Sequence, residues 1–539
     1  MLYLLFSTII LLPVFAGFGG IFQKIFRNNS KDITSKLLAG IFSVIILFTV
    51  VAFFFPLSII VEIFTVTIGL SAFFSLKIYK DFWTFFSKIN VSFFLVFLTI
   101  LFFGSFYPFI LDHFGYYVPT IKWISEIGLV KGISNLDLLL GQMSFWHLLQ
   151  AGFSNFTDPF LRLNVIVLII YLIYIFEKKS WIHLAFFPIL FLFSQSPSPD
   201  LPVIIFSLII LNEILKSNKK AGILFSLSIF IFAIKPTMIW LPSLVFLYSL
   251  IIVKSKIKFI FPGILILLLF FFKNIWTFGF LVFPVQLIDF GVSWKPNPEL
   301  LKNSSEMAIL KTYDMQFSTA EISSFSTFDY IKNWLFLDGM KGIIHQLFVI
   351  SLIAFLLFSI KKNSKIIWLI FSSILIKSVL VIVFSAQYRF FIDVFFVIFF
   401  TLFYQNFSKQ FSLIIFSVLS IFIGIIISFP NLVQKNLPSF KLGNFMLGFS
   451  KNQLYKPSVF ELKKYKTNQI GNLKFNVVEN YPFSFDTPIP AISPSFIKED
   501  LEAGIFPQLK GKTLKDGFIW KKITKEEKVK IKIILEDFK

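Results

Sequence analysis

The amino-acid sequence predicts an all-α integral membrane protein of about fourteen transmembrane helices. Three observations predict it. Of 539 residues, 56% are hydrophobic and only 15% charged, with mean hydropathy +0.82. A soluble chain is about 45–50% apolar and about 25% charged, so lipid must solvate much of this surface. The apolar runs are continuous rather than alternating, which favours helices over barrel strands. Lysines gather in every second connection between runs, as a helical bundle crossing back and forth requires.

Spans are expected near 1–22, 36–56, 57–76, 90–111, 159–177, 181–195, 200–215, 221–235, 236–253, 257–273, 342–360, 366–386, 389–405 and 411–429, each close to the roughly 17–25 residues a bilayer needs. The first run has no basic leader and no clear cleavage site, so it reads as a span rather than a signal peptide. Lys24, Arg27, Lys31 and Lys36 mark the first inner loop, and Lys77, Lys80 and Lys88 the third. Lys178/Lys179, Lys216/Lys219/Lys220, Lys254/Lys256/Lys258 and Lys361/Lys362/Lys365 continue the alternation. The positive-inside rule then puts the N-terminus, loops 112–158 and 274–341, and the tail 430–539 outside. Residues 1–429 form the membrane domain and 430–539 a small extracytoplasmic α+β or loop-rich domain.

Composition excludes several chemistries. There is no Cys, hence no disulfide, thiolate metal site or Cys nucleophile. The net charge of +21 is explained by loop topology and not by nucleic acid. The 79 Phe reflect in part an AT-rich codon bias, so they do not argue for an aromatic site. No phosphate-binding loop, nucleophile elbow or dinucleotide fingerprint occurs. No His pair has metal-ligand spacing, and a divalent cation is the one cofactor left open.

The polar chemistry lies in the outer segments. Asp112 and His113 follow the span 90–111, where a carboxylate in a partly dry site can be tuned as a general base. The alternative is that Asp112 only ends the helix at the water boundary. An amphipathic helix, TIKWISEIGLV, follows, and QMSFWHLLQAGF, too short to span, is expected to lie in the interface with His147 beside Trp146. The turn FSQSPSPDLP offers Asp200, as a catalytic carboxylate or as a helix cap. Arg162, Lys235, Lys273 and Arg389 stand near outer span ends, against the positive-inside rule. Each could bind an anionic headgroup or leaving phosphate, or be neutralised locally, as the i,i+4 pairs Asp158/Arg162 and Arg389/Asp393 allow. Glu62 and Lys377 are charges inside spans, which want a partner or a cavity.

An Asp after an early span, followed by an outer loop with a surface helix, resembles the GT-C glycosyltransferases. More closely, the chain resembles a bacterial membrane-protein family related to them, with a pattern of Asp, Tyr-His, Ile-Lys-Trp-Ile and Gly-x-x-Asn-Leu. Here that pattern is Asp112, Tyr116-Tyr117, Ile121-Lys122-Trp123-Ile124 and Gly132 to Leu136. Ser196 to Asp200, Lys273-Asn274, Gly279, Phe283-Pro284, Trp294-Lys295-Pro296 and Gly511 to Phe518 are similar to its further elements. Tyr117 stands where the pattern has His, and adjacent His113 is the candidate substitute. The tail also lacks a Cys pair associated with relatives.

The resemblance implies a GT-C-like fold in the bacterial inner membrane and transfer of a sugar from a polyprenyl-phosphate-linked donor to a surface glycan, lipid or protein. It implies catalysis by Asp112 with His113, and substrate or phosphate binding by Lys235, Lys273, Arg389, Arg162, Asp200, Tyr116, Lys122, Trp123 and Trp294. Membrane lipids are the other expected partners. The rival reading is a polysaccharide polymerase or ligase, or a transporter-like protein of envelope biogenesis. A transporter often shows matched halves, and none is visible.

Overall fold

In lipid, backbone polar groups must be satisfied within each segment, which makes apolar runs helical. The computed structural model describes residues 1–26, 32–436, 445–461, 464–479 and 481–536. Arg27 and Lys31 of the expected first inner loop lie outside the described residues. The chain divides into two compact units.

The first unit comprises Met1–Pro202, Phe272–Pro296 and Phe407–Lys539. Its helices begin with α1 (Leu2–Ile25), α2 (Ile33–Phe54), α3 (Ile59–Ser75), α4 (Tyr79–Phe86) and α5 (Val91–Gly104). Then come α6 (Val118–Glu126), α7 (Phe145–Gly152), α8 (Leu163–Lys178) and the short α9 (Phe187–Leu190). Helix α1 packs between α2 and α3 with almost no side-chain spacer. A Cβ on Gly17 would stand 1.9 Å from the Gly69 carbonyl oxygen, and one on Gly40 1.7 Å from that of Phe15. Small residues let membrane helices meet backbone to backbone, where dispersion replaces the missing hydrophobic drive.

The second unit comprises Val203–Phe271 and Asn297–Asn406. It holds most of α10 (Asp200–Leu215) and α13 (Phe261–Thr277), with α11 (Ala221–Ile234) and α12 (Trp240–Leu247) between them. The polar segment after Asn297 forms α14 (Pro298–Thr312), α15 (Thr319–Ser323) and α16 (Thr327–Leu335). Ser318 and Ser326 open α15 and α16 with capping boxes. Long apolar α17 (Met340–Lys362) and α18 (Lys365–Phe384) follow, then α19 (Ile392–Phe403). Lys377 is buried on α18 and forms an ion pair with Asp393 of α19, which also accepts from Trp240 Nε1 at 2.9 Å.

The first unit closes with α20 (Lys409–Ser428), α21 (Pro430–Asn436) and an α+β lobe. The lobe has two antiparallel pairs, β1 (Tyr465–Ile470) with β2 (Leu473–Val478) and β3 (Ile505–Leu509) with β4 (Phe518–Lys522). Helices α22 (Pro494–Glu502) and α23 (Lys525–Glu536) complete it.

Several helices are long and apolar enough to cross a membrane, so the chain reads as a membrane protein. Among the described residues there are six such helices, or seven if α3 and α4, bent by 72°, count as one span. The expected fourteen are not reached by length. Apolar helices such as Val91–Gly104, Ala221–Ile234 and Ile392–Phe403 stop short, and the expected span 181–195 breaks into 3₁₀ and α turns around Pro188. Helix α7 also departs from expectation. All eight of its residues are buried, so it fills protein interior instead of lying at an interface.

Candidate functional site

Helix α6 does not begin cleanly. The chain enters it at Asp112 and passes through a single π turn, His113–Tyr117. Such turns occur often at functional sites because the extra residue re-aims side chains. Asp112 and Tyr116 are partly exposed, whereas His113 and Tyr117 are buried.

The Tyr117 hydroxyl is the centre of a polar cluster. Burial raises its pKa well above the ordinary tyrosine value; the neighbouring Tyr116 and the carboxylates of Asp112 and Asp200 act in the same direction, and a hydrogen bond with Ser198 opposes them. Asp112 and Asp200, 88 residues apart in sequence, are therefore both within electrostatic reach of one hydroxyl. The His147 ring faces the Tyr117 ring, with centroids 5.0 Å apart. Neither His147 nitrogen completes a hydrogen bond, although the Pro197 carbonyl lies near the ring. Burial first, then the Lys273 charge, hold His147 neutral with a pKa of about 3.

The turn carrying Asp200 is built from below by a residue that the sequence did not flag. Asn164, at the start of α8, donates from Nδ2 to the carbonyls of Phe193 (3.0 Å), Ser196 (2.7 Å) and Ser198 (2.9 Å), while its Oδ1 accepts from Trp146 Nε1 at 2.9 Å. The one available signal was a buried-type amide inside an apolar run. Ser198 Oγ meets Asp200 Oδ2 at 3.1 Å and accepts from the Asp200 N–H at 3.3 Å, which fixes Asp200 in the first turn of α10. Lys273 is fully buried and donates to the carbonyls of Gln142 (2.7 Å) and Met143 (3.1 Å), anchoring a turn in which Met143 has φ of 29°.

Other expected site residues serve the framework. The Arg162 guanidinium is buried and donates to the carbonyls of Gly104, Phe106, Phe160 and Ser458 at 2.7–3.2 Å. Four donors are thus spent on backbone, and the expected phosphate contact gives way to a clamp. Asp158 meets Arg162 through the backbone N–H, at 2.6 Å. His113 lies under the Arg162 charge, and burial followed by that charge keeps it neutral, far below its usual pKa. A base so weakened is a poor proton acceptor.

Lys122, Trp123 and Trp294 belong to the seat of the C-terminal lobe. Lys122 Nζ donates to the Asp486 carbonyl. The Trp123 ring meets Phe518 edge-on at 5.7 Å. The Trp294 carbonyl accepts from Asn135 Nδ2 at 2.8 Å. Gly132, at φ of 58°, is needed there, because a Cβ would stand 2.6 Å from the Phe518 oxygen and 2.7 Å from Trp294 Cβ. The closing segment Gly511–Phe518 supplies Lys515, whose Nζ meets the carbonyls of Ala52, Ile127 and Leu129 at 3.0–3.2 Å.

In the second unit, Lys235 and Arg389 share one aromatic ring. Lys235 Nζ stands 5.6 Å and Arg389 Cζ 4.9 Å from the Phe390 centroid. Asp393 is directed to Lys377 and Trp240, as described above, and Arg389 is exposed. Among the described residues, no group of three or more His, Asp or Glu could hold a metal ion.

No curated protein and no solved structure matches the chain. One family model does match, over residues 1–396, well beyond half of the sequence. It spans the Asp112 turn, the Asp200 turn and the cations beside Phe390. The chain belongs to the family described as Domain of unknown function (DUF8201).

Proposed function

We propose that the protein is a membrane glycosyltransferase of GT-C type, moving a sugar from a polyprenyl-phosphate-linked donor to an extracytoplasmic acceptor at the bacterial inner membrane. The observation that supports the reading is that Asp112 and Asp200, both partly exposed, lie within electrostatic reach of the buried Tyr117 hydroxyl. Two partly exposed carboxylates beside a buried, protonated phenol suit an acceptor rich in hydroxyl groups. Asp112 takes the acceptor proton as the new glycosidic bond forms, and the lipid phosphate leaves with the bonding pair. Asp200 and Tyr116 orient the acceptor. Within the second unit, Lys235 and Arg389 beside Phe390 are proposed to meet an anionic lipid phosphate. The proposed topology has the N-terminus, loops 112–158 and 274–341, and the tail on the extracytoplasmic side, with the shorter apolar helices supplying the crossings beyond the long ones.

The test is sugar transfer in membranes by Asp112→Asn. Asn preserves shape and polarity but is not a base, so transfer should fall about 100-fold at normal protein abundance. Glu126→Gln, on half-exposed Glu126 of α6 and paired only loosely with Lys122 at 4.0 Å, is the matched control. Normal transfer by Asp112→Asn would remove Asp112 from the chemistry.

A further inference from the structure

The first unit carries an apolar cleft of about 280 Å³ that the proposed chemistry does not use. It lies among α1, α4, α5 and α8, lined by Leu5, Leu12, Phe86, Phe93 and Phe97 among others, with exposed Ile9 and Phe94 on its rim. Pro13, inside α1, also lines it.

Helix α4 is one wall, and its sequence suits a membrane surface. It turns 72° away from α3, too sharply to continue as one straight span. One side, Phe82 and Phe86, lines the cleft. Beside them on the same helical stripe, Trp83 is 78% exposed, with Tyr79 also exposed. Trp and Tyr with lysines are the mixture that settles at headgroup level. Lys77, Lys80 and Lys88 are exposed along the same turn and helix. The one acid of α4, Asp81, is drawn to Lys36 of α2 at 3.1 Å, which ties the helix down and removes its negative charge from that face. An apolar slot beside a basic, aromatic surface helix has the two halves of a lipid-binding site. Hydrocarbon is held by burial, at about 0.8 kcal/mol per methylene, and an anionic headgroup by lysines.

We propose that this cleft holds one acyl chain of an anionic phospholipid, whose headgroup is met by Lys80 of α4 and by Lys77 and Lys88, which flank the helix. The site is independent of the transfer reading, because it shares no residue with the cluster around Tyr117.

The experiment uses full-length protein in bilayers of equal parts phosphatidylcholine and phosphatidylglycerol. A trace of phosphatidylglycerol carries a diazirine at the end of one acyl chain, and labelled peptides are mapped after irradiation. Label should concentrate on residues 5–13 and 93–97 relative to the exposed faces of α17. Leu5→Trp fills the cleft and should lower that label about fivefold or more, with α17 labelling unchanged as the sign of an intact fold. The double variant Lys80→Gln, Lys88→Gln alters only exposed side chains and should weaken phosphatidylglycerol labelling about tenfold, leaving a phosphatidylcholine probe unchanged. Uniform labelling of α1, α5 and α17, or indifference to Leu5→Trp, would overturn the site. Equal labelling by the phosphatidylcholine probe would overturn the headgroup assignment. Displacement of the label by a long isoprenyl phosphate, and not by excess phosphatidylglycerol, would overturn the acyl chain as occupant.

Discussion

Phe518 is bound to Lys131 through the backbone, its N–H donating to the Lys131 carbonyl at 2.9 Å, though 387 positions separate the two residues. The Phe518 ring is fully buried against Trp123. This contact seats the C-terminal lobe on the loop that carries the Asp112 turn.

Removing the Phe518 ring should therefore undock the lobe before it unfolds the helices. Phe518→Ala should cost about 3–5 kcal/mol, the scale of a buried Phe truncation. Limited proteolysis should cut within 505–522 while helical circular dichroism persists. Loss of helical signal in step with cleavage would show the two to be one cooperative unit.

The seat should also respond to pH. Asp137 and Asp500 are buried within electrostatic reach of each other. Burial first, opposed by backbone hydrogen bonds from Leu139 and Leu140 and reinforced by Glu499, raises Asp137 to about 7. Burial, then Glu499 and Asp137, raises Asp500 well above its ordinary value. A carboxyl raised on folding binds more protons folded than unfolded, so its contribution is fully present below the unfolded value of 3.8 and is lost as pH rises through about 7. Hydrogen exchange in α22 and the 133–142 segment should be slower at pH 5 than at pH 8, after correction for intrinsic rates. Asp137→Asn should flatten the difference, and an unchanged slope would exclude Asp137 as its source.

Glu62 should behave as a structural tie. Its carboxylate accepts from the N–H groups of Asn155 (2.8 Å), Phe156 (3.2 Å) and Thr157 (2.8 Å), and from the Thr157 hydroxyl. Glu62→Gln removes the charge and turns one of the two accepting oxygens into an NH2 donor facing N–H groups, and should cost about 1–3 kcal/mol in detergent unfolding. Exchange should quicken across 153–158. Full stability of the variant would leave the buried charge without a structural account.

Topology is open to a clean test because there is no native Cys. Cys at 302 or 512, both exposed positions, should react with a membrane-impermeant maleimide on intact spheroplasts. Cys at 219 or 256, also exposed, should react only after permeabilisation. Labelling at 219 with none at 302 would invert the orientation.

The membrane character of the chain was written in the sequence itself. A long apolar run such as 342–360 or 411–429 has one stable outcome in lipid, a helix, and α17 and α20 form there. The shorter runs were not decided so, because an apolar run of about 10–14 residues suits a buried helix better than a span, and neighbours choose. Trp123 entered through the resemblance and Asp200 through its turn, but their tasks were not visible. Asp200 acquires its surroundings only when Asn164 holds its turn and the fold brings that turn within electrostatic reach of Tyr117. Arg162 stood out as a misplaced cation, and four carbonyls from three separate stretches of chain made it a clamp. The physical reason is the same in each case. Hydropathy acts on a segment by itself, whereas a buried donor must find its acceptor, and the sequence carries no period that links residues hundreds of positions apart.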